Sequence, residues 1–90
     1  MPRQLQKEIA QTIARGCVLM VQKTKPRTQG GRQLVSVGPY RQAVGGKRYA
    51  MITKLDMATS ISAVFAAKEF ISFVGRDRAA EALQRPRCRR

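Results

Sequence analysis

The sequence predicts a small single α+β domain. An N-terminal helix comes first, then a three-stranded antiparallel meander, then a C-terminal helix or helices packed on one face. Three observations lead there. Apolar residues recur at helical spacing near both ends of the chain. Between them, residues 17–55 alternate short strand-like runs with basic turns rich in Gly and Pro. Finally, 90 residues with 43% hydrophobic content are enough for one core.

Leu5, Ile9 and Ile13 stand four apart, with Thr12 beside the stripe, which is one face of a helix over residues 3–15. Gly16 suits the position after a helix end, and Arg15 suits the negative end of the helix dipole. Residues 17–21 are an apolar run with two valines, read as a strand. A basic loop follows over residues 23–32, carrying Pro26 and Gly30-Gly31. Residues 33–37 form the second strand, which Gly38-Pro39 must interrupt as a bulge, an edge or a bend, because Pro cannot donate to a ladder. The strand resumes over 40–44, and Gly45-Gly46 fits a two-residue hairpin loop. Residues 47–55 are the best strand, with Tyr49, Met51, Thr53 and Leu55 facing one way and Ala50 and Ile52 the other.

Asp56 is expected to cap the next helix, which carries Ile61, Val64, Phe65, Phe70, Ile71, Phe73 and Val74. Residues 59–65 stay open between that helix and a fourth strand in which Ile61, Ala63 and Phe65 alternate, the helix then starting near Ala66. Gly75 stops the helix, Asp77 is expected to cap a short last one over residues 78–84, and Pro86 ends it. The core is expected to gather Ile9, Ile13, Phe65, Phe70, Ile71 and Val74. The folded domain is read as residues 1–84, with 85–90 as a disordered basic tail.

Charge dominates the functional reading. Eighteen Lys and Arg against five Asp and Glu give a net charge of +13, beyond what solubility requires. Self-repulsion on that scale calls for a polyanionic partner. No acid lies between Glu8 and Asp56, a stretch that holds Lys23, Lys25, Arg27 and Arg32 on one loop and Arg41, Lys47 and Arg48 around the Gly-Gly turn. In a meander those loops fall at opposite ends of the middle strand. Tyr40, at the bend, is a candidate to stack on an unpaired base; Tyr49 reads as packing.

Catalytic chemistry has little to stand on. Histidine is absent, and the five carboxylates read as helix caps or solvated helix charges. No Walker motif, dinucleotide fingerprint or nucleophile elbow occurs. No enzyme activity, cofactor, metal site or small-molecule substrate is expected. Cys17 reads as a buried hydrophobe and Cys88 as a free thiol among arginines. With no secretory signal before Gly16 and no stretch long enough to cross a bilayer, a cytoplasmic protein without a membrane role is expected.

The order helix, three strands, helix resembles the double-stranded-RNA-binding domain in topology. The loop KTKPRTQGGR resembles the Pro-containing β-arm of bacterial HU-like proteins. The basic cluster that opens the last helix of the first is replaced here by DMATSISAVFAAKEF, and the paired N-terminal helices of the second are absent. No functional residue carries over. The expectation is therefore a non-catalytic nucleic-acid-binding protein, DNA or RNA. The alternative is a phage- or plasmid-type interaction or inhibitor module, homodimeric or docked on an acidic or nucleoprotein target.

Overall fold

In α1 (Arg3–Ala14) the apolar stripe turns inward and buries Ile9, Ala10, Thr12 and Ile13. Thr12 donates its hydroxyl to the Glu8 carbonyl at 2.7 Å, so this buried polar group is satisfied within its own helix. Gly16, at φ +94°, turns the chain into β1 (Cys17–Thr24). The computed structural model describes residues 3–24, 32–43, 45–54 and 57–88.

β2 (Arg32–Val37) runs antiparallel to β1, from Thr24 opposite Arg32 to Leu19 opposite Val37. β4 (Arg48–Lys54) pairs with its far side, Val37 facing Ile52. Further along, β3 (Arg41–Gln42) meets the same strand, with Arg41 facing Tyr49. Three residues, 38–40, thus oppose the two at 50 and 51. The expected interruption is a one-residue bulge, and β2 and β3 are two halves of one bent strand. Its peptide Gly38–Pro39 is cis. The bulge is tied down on both sides: Gly38 N–H donates to the Met51 carbonyl and Tyr40 N–H to the Ile13 carbonyl, each at 2.9 Å. A side chain at Gly38 would run into the Cys17 carbonyl oxygen and stand 2.9 Å from Ile13 Cγ2.

The hairpin after β3 is longer than the expected two residues. Ala43 N–H donates to the Lys47 carbonyl and Gly46 N–H to the Ala43 carbonyl, leaving residues 44–46 between the closing pair. Both Gly45 and Gly46 hold positive φ, so the turn needs both glycines for backbone freedom and still needs a third residue to close.

The open stretch resolves into both elements in succession. β5 (Met57–Ile61) is a fourth strand on the outer side of β4, with Ile61 facing Ala50. α2 (Ala63–Val74) starts directly after it, capped by Ser62, whose hydroxyl accepts the Phe65 N–H at 3.3 Å. Asp56, expected as that cap, lies outside the described residues, and Ser62 holds the position; the helix also starts before Ala66. Gly75, at φ +88°, ends α2 and begins α3 (Arg76–Leu83), so Asp77 falls in the first turn instead of capping it. The inserted β5, the second C-terminal helix and a strand after it depart from the helix, three strands, helix order.

That last strand corrects the reading of the tail. β6 (Arg87–Cys88) pairs antiparallel with the start of β1, Arg87 opposite Val18 and Cys88 opposite Cys17. Directly opposed residues bring their β-carbons closest, and the two sulfurs are bonded at 2.07 Å. Neither cysteine is a free thiol, and the ordered chain continues past residue 84 to Cys88.

The sheet order is β5, β4, β2/β3, β1, β6. All three helices cover one face. Leu19, Val35, Val37, Ala50 and Ile52 from the sheet meet Ile9, Ile13, Phe70, Ile71 and Val74 from the helices. Phe65, expected in this core, is 48% exposed. The buried stripe of α2 is Ala66, Ala67, Phe70, Ile71 and Val74; its small alanines let the helix approach α1 and the sheet, and that phase turns Val64 and Phe65 outward. Among the described residues no helix is long and apolar enough to cross a membrane.

Candidate nucleic-acid interface

The helices leave the other face of the sheet uncovered. Strand alternation sends Val18, Met20, Gln22, Leu34, Ser36, Arg41, Tyr49, Met51, Thr53 and Ser60 to it, and the register stands them in cross-strand rows. Arg41 opposes Tyr49, Ser36 lies between Met20 and Thr53, Leu34 opposes Gln22, and Met51 opposes Ser60. Met20, Leu34 and Met51 are 37%, 42% and 38% exposed, so the face is apolar in its middle.

Charge divides between the two layers. The three helices carry five cations (Arg3, Lys7, Lys68, Arg76, Arg78) and four carboxylates (Glu8, Glu69, Asp77, Glu81). The strands carry six cations (Lys23, Arg32, Arg41, Arg48, Lys54, Arg87) and no carboxylate. The helical layer is close to neutral, and the excess positive charge lies on the sheet, its turns and the chain ends.

Three of the sequence-predicted residues come together at one end. Arg41, Lys47 and Arg48 surround the Gly45-Gly46 turn, all three exposed. Beside them a shallow depression of about 620 Å³ is lined by Lys47, Arg48, Tyr49, Met51, Ser60 and Ser62, among others. At the opposite end, β1 and β2 bring the backbones of Lys23 and Arg32 to the root of their hairpin. The side chains of these two, and Lys25 and Arg27 altogether, lie outside the described residues. The bent strand runs ten steps from Arg32 to Gln42, so the two basic ends stand roughly 30 Å apart.

Both tyrosines are half-buried, on opposite faces of the sheet. Tyr40 is half-buried against the core, its backbone bonded to α1, with the Arg48 guanidinium 5.7 Å from its ring centroid. That is a cation–π contact within the helical side of the fold. Tyr49 is half-buried on the uncovered face beside Arg41. Its position was legible in the alternation Tyr49, Met51, Thr53; the alternation could not reveal which face the helices cover. Arg87, assigned to the tail, instead stands opposite Val18 in the sheet.

No three potential metal ligands cluster among the described residues. No family model, curated protein or solved structure matches this chain.

Proposed function

We propose that the protein binds nucleic acid without catalysing a reaction on it, through the uncovered sheet face and the cationic turns at its ends. The observation that carries this is the segregation of charge: six cations and no carboxylate in the strands, with Arg41 and Arg87 among them on the uncovered face, against near balance in the helices. A solubility device would not need to spare one layer. A polyanion lying on the sheet neutralises the self-repulsion of a +13 chain and releases its own condensed counterions. The reading places the protein in the cytoplasm, where cellular thiols would act on the Cys17–Cys88 bond.

Fluorescence polarisation of labelled oligonucleotides across a salt series tests it. With about six phosphates neutralised, affinity falls on the order of 10³-fold from low to moderate salt, linearly in log–log form. A flat response sinks the proposal.

A second reading has its own support. β6 covers β1 only at Cys17 and Val18, so the edge beyond has no strand partner among the described residues. A second copy that displaces the Arg78 side chain from the Gln22 carbonyl would pair there and form a protein-interaction module. Light scattering after nuclease treatment separates the two: a dimer that persists and binds no oligonucleotide favours the second.

A further inference from the structure

We propose that the nucleic acid taken by this face is single-stranded, with an unpaired base held against Tyr49 and Met51 and the flanking phosphates on Arg41 and Lys47. This rests on the nucleic-acid reading above and narrows it to one class of ligand. A duplex offers a protein surface phosphates and groove edges, and its base faces are stacked away. It would leave the apolar middle of the sheet, Met20, Leu34 and Met51, facing a charged backbone with nothing to gain from contact. An unpaired strand presents both a charged backbone and apolar base faces, the combination this surface complements.

The geometry at the Gly-Gly end gives the base a place. Tyr49 and Met51 are two apart on β4 and project to the same side. Ser60 stands opposite Met51, and the depression they share opens beside Lys47 and Arg48. About 620 Å³ is ample for a nucleobase in a shallow site. Serine hydroxyls at its rim, Ser60 and Ser62, can donate to or accept from any base edge, so the site favours no particular base. Arg41, directly opposite Tyr49, stands next to any base stacked on that ring. From there the strand runs along the sheet past Met51 and Met20 toward the second basic end.

The test compares a labelled oligothymidylate with the same strand annealed to its complement. The free strand binds roughly tenfold or more tighter than the duplex, and Tyr49→Ala weakens it by roughly 5- to 100-fold while Tyr49→Phe does not. Duplex binding changes little in either variant. A readout on unaltered Tyr49 guards against misfolding: with no Trp in the chain, the Tyr40→Phe protein reports Tyr49 fluorescence alone, which the single strand quenches. Equal binding of strand and duplex, with Tyr49 fluorescence unmoved, overturns this inference and leaves the polyanion reading standing. Binding of neither overturns both, as does self-association through this face that excludes the strand.

Discussion

Arg78 donates a 3.0 Å hydrogen bond to the backbone carbonyl of Gln22, joining α3 to the outer edge of β1 across 56 positions of sequence. The carbonyl would otherwise point from a strand edge that β6 leaves uncovered beyond Val18. A charged side chain from a helix stands where another strand would pair, which is how an edge is kept from pairing with a second molecule. Arg78→Ala is expected to lower stability by only about 0.5–1 kcal/mol in urea melts, because the bond is exposed. Its larger effect is on association: sedimentation or light scattering should show stronger concentration-dependent association than in the parent protein.

The staple at the start of the same strand carries more. Cys17 and Cys88 are separated by 71 positions, and closing a loop of that length restricts the unfolded chain by roughly 2–4 kcal/mol. Cys88→Ser should lower the melting temperature by roughly 10–30 °C. The parent protein in excess dithiothreitol should melt with the variant. Identical melts with and without reductant would show that the bond adds no stability.

Phe70 and Phe65 face opposite fates on one helix. Phe70 is fully buried and Phe65 is about half exposed. Phe70→Ala should cost about 3–5 kcal/mol and Phe65→Ala less than about 1 kcal/mol. Chemical denaturation of the two variants side by side checks the phase of α2 directly.

Gly38 has no substitute. At φ +97°, with the Cys17 carbonyl and Ile13 on the side where a β-carbon would go, Gly38→Ala should cost about 2–4 kcal/mol from overpacking and left-handed backbone strain. Gly45→Ala meets no atom within 4 Å and should cost about 1–2 kcal/mol from the backbone alone. Urea midpoints of the two variants give the comparison.

Elements defined by a period were legible in advance. The stripe Leu5, Ile9, Ile13 found α1, alternation found β4, and Gly38-Pro39 and Gly75 marked real interruptions. The failures have separate causes: a strand with few apolar residues, a helix phase set by small residues, and a cysteine whose partner is distant in sequence. Residues of β5 pair with β4 through backbone bonds that MATSI does not advertise. The phase of α2 is set by Ala66 and Ala67, which periodicity weighs less than Val64 and Phe65. The fate of Cys88 depended on Cys17 standing across from it. The turn cations of the candidate site were legible because charge needs no partner to be counted; the uncovered face between them was not, since that depends on where the helices settle.

The bond between Cys17 and Cys88 also makes a covalent ring of nearly every residue after α1. One cut anywhere inside that ring, the basic hairpin between β1 and β2 included, opens the circle without releasing a fragment. The nicked protein would travel as a single band until a thiol is added, and only then separate into two. Intactness of the polypeptide and integrity of the molecule are therefore different quantities for this protein, and the redox state of its surroundings decides which of them an observer sees.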